Sequence, residues 1–100
     1  MNKLALFVTA KAQPGKRDEL RRLWEEHIKP HNESNQAQEY CCYSFAAEDE
    51  NTICMFELFS DPAVVKASME SDWFTAYMAK ASPLMAAPPE VITAVPVWIK

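Results

Sequence analysis

The sequence predicts an α+β domain of the split βαβ kind, with two helices on one face of a four-stranded antiparallel sheet. Three observations predict it. Two segments repeat apolar residues every three to four positions, four segments are apolar or alternating over strand length, and their order is strand, helix, strand, strand, helix, strand.

Leu4 to Ala12 alternates until Gln13-Pro14-Gly15 stops it, which gives the first strand. From Lys16 the period changes. Leu20, Leu23, Trp24, His27, Ile28 and His31 fall on one stripe, with charges at 17, 18, 21, 22, 25 and 26 outside it. This pattern predicts an amphipathic helix ending near Pro30. Residues 32–38 are polar and read as a connection. Glu39 to Ala47 and Thr52 to Ser60 then form two strand-like runs around Glu48-Asp49-Glu50-Asn51, an acidic turn suited to a hairpin. Asp61-Pro62 fits an N-cap followed by proline at the first helical position, and Val64, Val65, Ala67 and Ser68 continue a helical pattern. A second helical piece carries Trp73, Phe74, Tyr77 and Met78 before Pro83, Pro88-Pro89 breaks the chain, and Val91 to Ile99 reads as a last strand.

The 100 residues form one expected domain, 1–100, and a domain of that size hides only roughly 65% of its unfolded surface. With 49% apolar and 24% charged residues the chain is globular in composition rather than disordered or membrane-spanning. The net charge of −4 comes from scattered acids, and Lys16, Arg17, Arg21 and Arg22 make too small a basic cluster to track phosphates, so nucleic acid is not an expected partner. Met1-Asn2-Lys3 runs into the first strand without a recognisable signal peptide, and a cytoplasmic location is expected. Cys41, Cys42 and Cys54 sit in strand-like runs without the spacing of a disulfide framework or a zinc site, and read as reduced, buried thiols. No metal site is expected.

The sheet has an unusual second face. In the third strand Ile53, Met55 and Phe59 share one side while Cys54, Phe56 and Leu58 share the other; in the first, Leu4, Leu6 and Val8 oppose Ala5 and Phe7. Both faces are apolar, although helices cover only one. A second copy of the same sheet is the simplest cover, so a homodimer is expected.

The order of elements, together with Glu39-Tyr40-Cys41-Cys42-Tyr43-Ser44-Phe45, Phe56-Glu57-Leu58-Phe59, Asp61 and Lys66-Ala67-Ser68-Met69-Glu70-Ser71-Asp72-Trp73-Phe74, resembles the antibiotic biosynthesis monooxygenase domain family over nearly the whole chain. The resemblance implies a ferredoxin-like fold, dimers whose sheets close an α+β barrel, and oxygenases that act on quinols and polycyclic phenols without a cofactor. Glu39 and Cys42 match the family's Glu-x-Gly-Cys-x-x-Tyr, while Cys41 replaces the glycine and Phe45 the tyrosine. Phe59 stands at the tryptophan of the family's Glu-x-Trp, so it joins the candidate substrate walls. Ser71 and Phe74 match the second-helix motif His-x-x-Ser-x-His-Phe, whereas Ser68 and Trp73 occupy its histidine positions. The haem-degrading branch looks for an iron-ligating histidine on that helix, and without one haem degradation is not expected.

An oxygenase of this kind needs a dry aromatic pocket, a base for a phenolic proton and donors for the resulting anion. His27, on the apolar stripe, has an imidazole suited to act as a base. Glu57 shares its strand face with apolar neighbours and is the second candidate. Tyr77 and Tyr43 offer hydroxyls to an oxyanion. Trp24, Trp73, Phe74 and Tyr77 offer flat walls, with His31 and Asn35 as weaker polar contacts. The ordinary alternative for each is structural: a bonded core histidine, a paired interface acid, a helical aromatic stripe that is simply core. The expected function is oxidation of a small quinol or phenolic substrate with O2. Two others use the same residues: a small-aromatic-binding dimer without catalysis, and an isomerase or decarboxylase of small carbonyl compounds.

Overall fold

The computed structural model describes residues 2–100, in the order β1 (Leu4–Lys11), α1 (Arg17–His27), α2 (Lys29–Ser34), β2 (Gln38–Phe45), β3 (Thr52–Phe59), α3 (Pro62–Met69), α4 (Asp72–Ala81), a 3-10 turn (Ser82–Leu84) and β4 (Glu90–Ala94). The strands lie in the order β2-β3-β1-β4 and every pair is antiparallel, which is the ferredoxin-like α+β arrangement. Among the described residues no helix is long and apolar enough to cross a membrane.

The chain's one glycine sits at the one backbone position with positive φ: Gly15, at +77°, turns the chain out of β1 and into α1. Arg17 then ties α1 to the hairpin, donating to the Asp49 carbonyl at 3.0 Å while its guanidinium lies 3.8 Å from the Phe45 ring centroid. Asp61 caps α3 by accepting from the Ala63 N–H at 3.0 Å, and Ser71 caps α4 by accepting from the Phe74 N–H at 3.3 Å.

Two expectations about element ends are corrected. The helical path does not stop near Pro30. It bends at Ile28 and resumes as α2, because Pro30 lies in the first turn of α2, where a missing N–H leaves no helical bond unmade. The last strand covers Glu90–Ala94 rather than Val91 to Ile99. Pro96 cannot donate to a ladder, and beyond it Val97 and Trp98 are 99% and 79% exposed.

Helices and sheet enclose two buried clusters. Leu20 and Trp24 of α1, with Ile28 at its C-terminal end, meet Tyr77 and Ala81 of α4 over Ala10 and Ile53 of the sheet, and Leu6 and Phe59 pack under Val65 of α3. The opposite sheet face stays largely open, although the pair Ala5 and Leu58 at one end of it is buried. Its cross-strand row Cys42–Phe56–Phe7–Ile92 follows from the registers, and Phe7, Tyr40 and Ile92 are 48%, 54% and 65% exposed. Phe56 holds this surface together, with ring centroids 5.0 Å from Phe7 and 5.6 Å from Tyr40.

The cysteines depart from the expected buried set. Cys41 is half-buried beside Asn32, whose amide donates to its sulfur at 3.7 Å; Cys42 is half-buried and Cys54 exposed, since alternation sets both on the uncovered face. Among the described residues no cluster of three potential metal ligands forms.

Candidate active site

A cavity of about 270 Å³ opens between the sheet and the helices. Its floor is Leu6, Val8 and Ala10 of β1 with Ile53, Met55 and Glu57 of β3, all on one face by alternation. Its roof is the row Leu20 and Trp24 of α1 and Ile28 just beyond its end, spaced four apart, with Phe74, Tyr77 and Met78 of α4. Tyr43 of β2 with Met69, Met85, Pro89 and Val91 complete the lining, and Met69 and Val91 are exposed.

Glu57 and the phenols of Tyr43 and Tyr77 are the ionisable side chains in this lining. Gln38 Nε2 donates to Glu57 Oε1 at 2.9 Å, and among the described residues the second carboxyl oxygen has no donor. Burial pushes the Glu57 carboxyl above the usual carboxylate range, and the Gln38 hydrogen bond offsets part of that rise. The contact depends on a bulge. Gln38 pairs with Phe59 and Tyr40 with Leu58, so Glu39 is the extra residue, and the bulge turns Gln38 from the open face to the cavity face. Glu39 itself pairs with Lys3 at 2.6 Å.

The phenols belong to the same chemistry. Burial pushes Tyr77 up to about 12 and raises Tyr43 further, so at neutral pH both hold their protons and act as donors. Tyr43 also packs against Trp24, with ring centroids 4.4 Å apart and the planes tilted by 34°. Cys41, opposite Glu57 in the ladder, is raised to about 11 by burial and then by the Glu57 charge, which keeps the thiol protonated.

Of the residues singled out from the sequence, Trp24, Tyr43, Glu57, Phe74 and Tyr77 line this cavity, and His27, His31, Asn35, Phe59 and Trp73 do not. His27 belongs to the row 23, 27, 31 next to the lining row of α1; its Nε2 is buried without a partner, 3.9 Å from Glu26. His31 stacks on Trp73, ring centroids 4.1 Å apart and 9° from parallel, so this tryptophan lies against a histidine of α2 rather than along the cavity wall. Asn35 accepts from the Ala37 N–H at 3.0 Å and shapes the turn into β2. Phe59 is in the second core cluster.

The sequence reading missed Gln38 and the methionines. Strict alternation from Cys41 sets Gln38 with Tyr40 on the open face, and nothing in the residue types announces the bulge. Two of the methionines had a signal available: Met55 lies two residues before Glu57 on the same strand face, and Met78 falls one turn after Phe74 on α4, whereas Met69 and Met85 come from other segments.

No family model and no curated protein matches this chain. Solved structures do. A protein from Chloroflexus aurantiacus described as "putative antibiotic biosynthesis monooxygenase" is 26% identical, over 98% of this chain and 96% of its own, with a TM-score of 0.81. A protein of unknown function from Nitrosomonas europaea is also 26% identical, over 100% and 94%, at 0.82. A Caulobacter crescentus protein with the same description as the first shares 20% identity over 97% and 92%, at 0.88, a likeness of fold.

Proposed function

With the antibiotic biosynthesis monooxygenase domain family as the premise, supported by solved neighbours over the full chain, we propose that this protein oxidises a small phenolic or quinol substrate with O2 inside the cavity. The observation that carries the reading is Glu57: a carboxyl with a raised pKa, held on one oxygen by Gln38, within an otherwise apolar aromatic chamber. A base of that kind is matched to a phenolic proton at neutral pH better than an ordinary surface carboxylate.

For a phenol, Glu57 takes the hydroxyl proton and the phenolate passes one electron to O2. The radical and superoxide combine on the ring carbon as a peroxide. The hydrogen of that carbon passes as a proton to the terminal peroxide oxygen, the O–O bond breaks as the C=O forms, and the departing hydroxide takes the proton held by Glu57 to become water. One oxygen atom ends in the quinone and the other in water. Tyr77, with Tyr43, donates to the developing oxyanion, and the apolar walls exclude water from the peroxide. The substrate's own ring supplies the electrons, so the reading calls for no cofactor.

The open aromatic face is the proposed seam of a homodimer. Phe7, Tyr40, Phe56 and Ile92 form a contiguous apolar patch on the side the helices leave bare, and such patches mark interfaces.

Purified, metal-stripped protein incubated with a panel of quinols and phenols, in air and without oxygen, tests the activity. Enzyme-dependent oxygen uptake with quinone formation supports the reading. Absence of uptake across the panel counts against it, and turnover that persists without oxygen points instead to isomerase or decarboxylase chemistry.

A further inference from the structure

All four methionines among the described residues, Met55, Met69, Met78 and Met85, line the cavity, although they come from β3, α3, α4 and the segment after the 3-10 turn. No lysine, arginine or histidine does. We infer that the cavity is selective for an uncharged aromatic ligand of one or two rings carrying an undissociated hydroxyl, and that Glu57 rejects anionic aromatics. The inference rests on the proposed function for the ligand's role, but its physical basis is separate.

Methionine is unbranched and polarisable, so four of them make a wall that moulds to flat rings and offers sulfur contacts to their edges. A chamber of about 270 Å³ lies just below the range that drug-sized ligands occupy, which suits one or two rings rather than a longer polycycle. Charge decides the rest. A carboxylate entering this space finds no cation to pair with, sheds its water, and meets Glu57 across an apolar gap. The other titratable groups facing Glu57 are the Cys41 thiol and the phenols of Tyr43 and Tyr77, all held in the neutral form, so none offsets that repulsion. An undissociated hydroxyl instead finds an acceptor in the free oxygen of Glu57.

The test is binding of 1-naphthol and 1-naphthoate, two probes of similar shape, to the intact protein without oxygen, read by calorimetry at pH 7. Naphthol is expected to bind about 100-fold or more tightly than naphthoate. Glu57→Gln is expected to narrow that ratio roughly tenfold by strengthening naphthoate binding, and in the native protein naphthoate affinity should rise as falling pH protonates Glu57, whose carboxyl burial raises above the usual range. Equal affinities, no binding of either probe, or a ratio unmoved by both Glu57→Gln and pH would overturn the inference. Tight naphthol binding with no oxidation in air would sink the oxygenase reading while leaving this selectivity in place.

Discussion

Glu57→Gln keeps the side-chain volume and an acceptor for Gln38 while removing the charge from an apolar cavity. Stability and activity should therefore move in opposite directions. The folded protein raises the Glu57 pKa, burial being the larger cause, so the neutral form is the one the fold favours. Its contribution to stability is whole below the unfolded carboxyl pKa and is lost as pH rises through the folded value. Each unit of rise corresponds to about 1.4 kcal/mol. Removing a half-buried charge that has one hydrogen bond and no cation should gain about 1 kcal/mol at pH 8, which for a chain of this length is about 4–8 °C in Tm. At pH 4, where Glu57 is itself protonated, the two proteins should melt together. The assay is a set of circular-dichroism melts at pH 4, 6 and 8, alongside oxygen uptake, which should fall by about 10²–10⁴-fold without the base. A variant less stable at pH 8, or equally shifted at all three pH values, would refute the assignment of a charged, cavity-facing carboxyl.

Two further predictions follow from packing. Phe56→Glu puts a charge at the centre of the open aromatic face, and light scattering should find monomer or aggregate in place of the dimer proposed for the native chain; an unchanged dimer mass would remove this face as the seam. Leu20→Ala deletes a 1%-exposed side chain between α1 and the sheet, and should cost about 3 kcal/mol in urea unfolding while enlarging the cavity; a loss under about 1 kcal/mol would mean the site collapses.

Much of the fold was legible because local signals and the global arrangement agree. Asp61-Pro62 caps a helix in the sequence and in the structure, and the Glu48–Asn51 turn joins two antiparallel strands as its composition implies. The differences arise where one residue has two allowed meanings. Pro30 ends a helix or starts the next one, and only the bend at Ile28 decides. Pro96 limits β4 earlier than its run of apolar residues suggests, since hydrophobicity without a donor does not extend a ladder.

The candidate site was legible in its chemistry and less so in its geometry. Glu57, Tyr43 and Tyr77 follow from polar groups on apolar faces, but a helical stripe is wider than the cavity it covers. Trp24 therefore lines the chamber, while His27, one row over, does not. Gln38 was hidden by the bulge at Glu39, a break in the period of two that alternation cannot express.

The central claim is that O2 reacts with a phenol inside this chamber. Turnover of 1-naphthol under ¹⁸O₂, quenched early and read by mass spectrometry, tests it most directly. The account predicts a quinone carrying one labelled oxygen, formed by the native chain and nearly absent with Glu57→Gln. Unlabelled quinone, or equal labelling by both proteins, would contradict it.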